Sequence, residues 1–220
     1  MAYVSDVAAL ITAIIVIAAY QFYLRILVSR DSSAVLSHIA AEARSAWVES
    51  IMRSPDNAVL AIQTLRNSTL AATFLASTAI LLMVGILTLT NQSTGMSSSW
   101  HSLNFFGATQ PEVWLVKLLV MLVLMFFAFF CFSNAIRIFN HVGYLINARN
   151  SANENLYSAH LVASELNRGG RFFSIGTRAY YYLIPMVCWL FGPLYLVLSA
   201  LILVVILLPW VDRVPLSNDA

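Results

Sequence analysis

Charge is what this chain has least of. Only 10% of its 220 residues are Asp, Glu, Lys or Arg, against about 25% in an ordinary soluble domain. The longest stretches outside its apolar runs are about 40 residues, too short for a soluble catalytic domain carried on an anchor. The formal charge of +2 excludes the basic footprint of a nucleic-acid binder. Cysteine is also scarce. Cys131 and Cys188 both fall inside apolar runs, which excludes a disulfide framework and reads as two small core residues. The four histidines, His38, His101, His141 and His160, contain no i,i+3 or i,i+4 pair. No acidic residue sits centrally in an apolar run, so no Glu-x-x-His ligand pair forms on a bundle helix. Phosphate-binding loops, nucleophile elbows and zinc-protease motifs are missing too. The expectation is a non-enzyme with no catalytic residue, metal or cofactor.

Hydrophobic residues, in contrast, make up 60% of the chain and gather in four runs, about Val4–Val28, Leu70–Leu89, Val113–Phe139 and Tyr180–Pro209. Each reaches the ~20 residues that cross a ~30 Å hydrocarbon layer. The expected fold is all-α: an integral membrane four-helix bundle with two cytoplasmic-side helical segments, one domain over 1–220. The first run has no basic segment before it and exceeds the usual signal-peptide core, so it is expected to be retained.

Basic residues set the orientation. Arg25, Arg30, Arg44, Arg53 and Arg66 cluster around the first long connection, and Arg137, Arg149, Arg168, Arg171 and Arg178 around the second. Only Lys117 and Arg213 fall on the other side. Both long connections are therefore expected in the cytoplasm and both termini outside it, in what reads as a bacterial inner membrane. Tyr3, Trp100, Trp114 and Trp210 fit the outer interface, and Tyr20, Tyr23, Phe139, Tyr144, Phe172 and Tyr180 the inner one.

Residues 33–53 read as an interfacial helix with Val35, Leu36, Ile39, Ala43, Trp47 and Ile51 on its apolar stripe and Arg44 away from it. Ser54-Pro55-Asp56-Asn57 breaks it. The next helix is expected from about Ala58 straight into the second span, protruding on the cytoplasmic side. In that span Ser68, Ala72 and Ala76 form one i,i+4 row, and Thr69, Thr73 and Ser77 the row beside it. Such rows let helices approach closely in lipid; the competing reading is a polar pore lining. Asn91-Gln92-Ser93 fits a glycosylation acceptor pattern but carries little weight. Pro111 and Glu112 suit a helix start. Lys117 lies one turn inside the third span, where it is expected to snorkel or pair locally. Asn140 to Leu166 looks helical, with Leu156, His160, Val162 and Leu166 inward and Gly169-Gly170 as its end. Pro185 and Pro193 free the carbonyls of Tyr181 and Trp189, and a kink in the fourth span is expected. Without midplane charge, a monomeric transporter is disfavoured.

Two stretches resemble a known family. One is Ala61-Ile62-Gln63-Thr64-Leu65-Arg66-Asn67 followed by the alanine- and threonine-rich 71–82. The other is Phe173-Ser174-Ile175-Gly176-Thr177-Arg178-Ala179-Tyr180-Tyr181-Tyr182, followed by Pro185, Trp189 and Phe191-Gly192-Pro193. With the four-run layout they are similar to the membrane family called domain of unknown function 599. That resemblance implies the architecture and no reaction. Its arginines share a level. Arg66 and Arg178, with Arg171 as a third candidate and Gln63 and Asn67 as neutral donors, could hold an anionic lipid headgroup; the alternative is pairing with Glu42, Glu49, Glu154 or Glu165. The expected role is a self-associating scaffold or accessory subunit among membrane lipids. The rival is an oligomeric channel or transporter subunit lined by Thr69, Thr73, Ser77 and Thr88.

Overall fold

A computed structural model describes residues 2–30, 35–53, 58–91, 111–149 and 154–212. The chain is all-α. Its helices are α1 (Ala2–Arg30), α2 (Leu36–Arg53), α3 (Ala58–Asn91), α4 (Pro111–Asn147), α5 (Ala159–Trp189) and α6 (Pro193–Leu207), with a π-helical turn at Leu208–Asp212. Three of them, over Val4–Ser29, Ala58–Thr90 and Glu112–Asn147, are long and apolar enough to cross a membrane. The Ser54–Asn57 break, the serine-rich 92–110 connection with Trp100 and most of the glycosylation triplet, and Arg213 lie outside the described residues.

The chain divides into two compact units. Unit 1 comprises Met1–His38, Leu82–Met125 and Ala179–Ala220; unit 2 comprises Ile39–Leu81 and Phe126–Arg178.

In unit 1, α1 packs against α6. The fourth apolar run, expected as a single kinked span, consists of two helices joined by a turn. Helix α5 ends at Trp189, a turn follows, and α6 starts at Pro193. Pro185 stays inside α5, and the break comes where Pro193 and Gly192, at φ 148° and ψ 161°, stop the helix. Residues on α1 mark the direction of each piece. Trp189 reaches Asp6, Tyr182 bonds Gln21, and Leu203 and Leu207 pack with Tyr20 and Leu24. Helix α5 therefore rises antiparallel to α1, and α6 returns parallel to it. Asp6 and Tyr20 are about 21 Å apart along a helix at 1.5 Å per residue, and α6 is about 22 Å long, so the return closes. The start of α1 and the last described turn finish at opposite ends of this unit.

Unit 2 is built on α2 and on parts of α3, α4 and α5. Its core joins Val48, Ile51 and Met52 of α2 to Ala61, Leu65 and Ala72 of α3, Ala135 to Ile146 of α4, and Val162, Ala163 and Leu166 of α5. Helix α4 runs on to Asn147, and the 148–158 connection separates it from α5. This connection is fastened locally: Asn155 Nδ2 donates to the Met52 carbonyl at 2.9 Å, satisfying one of the last carbonyls of α2. Ser158 Oγ accepts from Leu161 N–H at 3.3 Å, an N-cap for α5. Val162 and Leu166 are buried as expected, whereas Leu156 and His160 are exposed.

Gly169-Gly170 does not end a helix but lies mid-α5. The reason is close approach. A Cβ on Gly169 would stand 2.8 Å from the Phe139 ring, and one on Gly176 2.8 Å from the Phe132 ring. Phe132 also meets Phe173 edge-on, with centroids 5.8 Å apart. Glycine's intrinsic cost in a helix is offset here by ring packing that any side chain would block.

Candidate functional site

Two groups of polar side chains are built deeply enough to matter. The first, in unit 1, is an ion pair. Lys117 Nζ lies 2.8 Å from Asp6 Oδ1, and both side chains are almost fully buried, at 2% and 3% exposure. The same ammonium donates to the Trp189 carbonyl at 3.1 Å and stands 5.1 Å from the Trp189 ring centroid. The indole N–H donates back to Asp6 Oδ1 at 2.8 Å. Trp189 is four residues before Pro193, so its carbonyl is the one that proline deprives of a helical donor. Lys117 supplies a replacement, alongside Gly192 N–H at 3.2 Å. Lys117 is thus locally paired and does not snorkel. The group ties α1 and α4 to the α5–α6 turn. A small cavity of about 270 Å³ beside it is lined by Asp6, Glu112, Val113 and Trp189 among others. At the other end of α1, the Tyr20 hydroxyl donates to the Asp212 carboxylate. Burial pushes that carboxyl up to about 6.

The second group, in unit 2, centres on Arg44, which points inward and not away from the α2 stripe. Its Nε–H donates to Asn167 Oδ1 at 2.8 Å. Asn167 is held in turn: its Nδ2 donates to Ser45 Oγ at 3.1 Å and to the Ala41 carbonyl at 3.3 Å. The guanidinium lies against Gly170, where a Cβ would come within 3.0 Å of Cζ. Arg44 borders a cavity of about 710 Å³. Thr64, Asn67, Ser68 and Ser174 give that cavity its polar edge, and Trp47, Phe139, Leu166 and Phe173 its apolar walls.

The residues singled out from sequence distribute differently. Asn67 lines the Arg44 cavity, while Arg66 lines a separate one with Thr69, Asn140 and Asn147. Gln63, Arg171 and Arg178 line neither of these two cavities. Gln63 and Arg171 are exposed, and Arg178 is half-buried. Of the carboxylates proposed as alternative partners, Glu49 pairs with Arg53 at 3.2 Å and Glu165 with Arg168 at 3.5 Å. On α3 the two rows part: Ala72 and Ala76 are buried, Thr73 and Ser77 are exposed, and Ser68 and Thr69 are intermediate. Arg44, Asn167 and Asp6 were missed. Arg44 lacked a sequence signal, because the register of α2 was read from its apolar residues alone. Asp6 had one: an acid at the head of an apolar run, with Lys117 the single lysine inside another.

The family profile described as "Protein of unknown function, DUF599" matches residues 8–214. The chain belongs to this family. No curated protein and no solved structure gave a match. Membership covers both α1 and the α5–α6 turn, so the buried Lys117 and its tryptophan partner lie within the matched region; Asp6 lies just before it.

Proposed function

We propose that this member of the DUF599 family is a non-enzymatic multi-pass membrane protein that works as an assembly subunit, self-associating or docked to a larger complex. The observation that carries the reading is the bare surface of two spans. In the most apolar 18-residue window of α1 and of α3, 22% of residues are buried, against 39% in α4. The uncovered side of α3 mixes small residues, Thr73, Ser77 and Gly85, with large ones, Phe74 and Leu81. Small residues at a lipid-facing surface favour close helix contact. The channel alternative draws on the same hydroxyls. However, Thr73 donates to the Thr69 carbonyl at 2.9 Å and Thr88 to the Val84 carbonyl at 2.9 Å. Hydroxyls bonded to their own helix need no water, which suits a dry contact better than a wet lumen.

The helical spans suit a bacterial inner membrane, since outer-membrane proteins are barrels. The arginine asymmetry supports a cytoplasmic side for the end of α1 and for α2, and on that reading the return of α6 alongside α1 puts Asp212 on the same side. In a background lacking Cys131 and Cys188, a cysteine at Ser5 should react with an impermeant reagent from outside. Cysteines at Ser50 and Pro209 should not. Labelling at position 209 from outside would restore the single-crossing arrangement. For assembly, cysteines at Thr73 or Gly85 should cross-link to a second chain in native membranes. A particle that stays monomeric and alone in membranes and in mild detergent refutes the subunit role.

A further inference from the structure

Arg44 is a guanidinium built into place with no ion-pair partner among the described residues. Among the described residues, Arg53 and Arg168 have carboxylate partners, whereas Arg44 bonds a neutral amide. Among the described residues no acid lines its cavity. Asn167, itself held by two donor bonds, fixes the Nε edge, and Gly170 leaves room for the two Nη atoms, each of which would be 3.2 Å from a Cβ there. Positioning of this kind leaves the terminal fork available for a second, bidentate partner. Burial draws the Arg44 pKa below its usual value, but a guanidinium stays charged at neutral pH. A half-buried charge with no ionic partner gains more from an anion than a fully exposed one does. Beyond the fork the cavity turns apolar, with Trp47 and Phe173 on its walls. A volume of about 710 Å³ is in the usual range for a small-molecule site, roughly 300–1,000 Å³.

We propose that this cavity binds an anionic phospholipid, its phosphate on the Arg44 fork and the start of its acyl chain against Trp47 and Phe173. The apolar walls would be idle around a free phosphate. Among the described residues no carboxylate lines the cavity to pair with the cation of a zwitterionic headgroup, so the net negative charge of an anionic headgroup is the better match to the guanidinium. This site is separate from the assembly surface of α3 and stands or falls without it. It also moves the anion site away from Arg66 and Arg178.

The test is native mass spectrometry of the full chain, delipidated and titrated with phosphatidylglycerol, phosphatidylcholine or inorganic phosphate, with a melting curve for every variant. Phosphatidylglycerol should bind about tenfold more tightly than phosphatidylcholine, the equivalent of about 1.4 kcal/mol. Millimolar inorganic phosphate should not displace it. Arg44→Gln should lower phosphatidylglycerol to the level of phosphatidylcholine. Arg44→Lys, which keeps the charge, should recover only part, because an ammonium cannot fork or reach Asn167 through an Nε. Arg66→Gln, on the other cavity, should bind as the parent does. Unchanged binding in a folded Arg44→Gln, or equal binding of the two lipids, overturns the site. Displacement by inorganic phosphate overturns the lipid and leaves a free anion as its ligand. Should Arg44→Gln not fold, full recovery in Arg44→Lys also overturns the bidentate assignment.

Discussion

Replacing Lys117 with methionine tests the buried ion pair most directly. The substitution keeps the stem volume and removes the charge. It takes away the ammonium 2.8 Å from Asp6, a carboxylate 3% exposed that keeps the Trp189 indole N–H. Removing one partner of a buried pair costs about 3–5 kcal/mol, because the other charge is left uncompensated. At about 2–4 °C per kcal/mol for a chain of this size, melting should fall by roughly 6–20 °C. Asp6→Leu should cost a similar amount. Their combination should behave differently. Exchanging a whole buried pair for apolar side chains is neutral or stabilising by about 1–4 kcal/mol. Against that, the Trp189 indole N–H loses its acceptor, at about 1–3 kcal/mol. The Trp189 carbonyl keeps Gly192 as a donor. The double variant should therefore melt near the parent and above either single variant. Unfolding can be followed with a thiol-reactive fluorogenic dye, since Cys131 is buried and Cys188 half-buried. Additive losses in the double variant, or single variants within about 1 kcal/mol of the parent, would refute a coupled buried pair.

Other positions give contrasting outcomes. Gly169→Ala and Gly176→Ala should each destabilise by about 1–3 kcal/mol through overpacking against Phe139 and Phe132. In the same melting assay run on the chain dissociated in detergent, Gly85→Ala, with nothing within 4 Å of its Cβ in the single chain, should be neutral or stabilising by up to about 1 kcal/mol. Gly192→Ala should cost about 1–3 kcal/mol, because φ 148° is closed to a side chain. Asp212 should give a pH signature. Its folded carboxyl holds a proton up to about pH 6 and its unfolded one releases it near 3.8, so folding takes up a proton between those values. Stability should fall as pH rises through that window, by about 3 kcal/mol at most, and level off above it. Asp212→Asn should flatten that dependence in melting curves taken from pH 4 to 7.

Composition and run length were enough to establish an all-α membrane protein, because crossing hydrocarbon demands long apolar helices whatever their neighbours. Leu70–Leu89 and Val113–Phe139 became the centres of α3 and α4 for that reason. The same local chemistry showed that Pro193 would free the Trp189 carbonyl. What answers it, Lys117 from 72 residues away, depends on which helices meet. The fourth run shows the limit best. Tyr180–Pro209 is apolar throughout, and hydropathy measures length without direction, so one crossing and a turn back look alike. The turn is decided by the contacts of Trp189 with Asp6 and of Leu207 with Tyr20 and Leu24. Gly169-Gly170 is a second case. Glycine both ends helices and admits close neighbours, and only the rings and guanidinium packed against α5 choose between the two. The Arg44 cavity was hidden for the same reason. Its guanidinium, amide and glycine are far apart in sequence, and it was the packing of α2 on α5, a tertiary event, that placed them side by side.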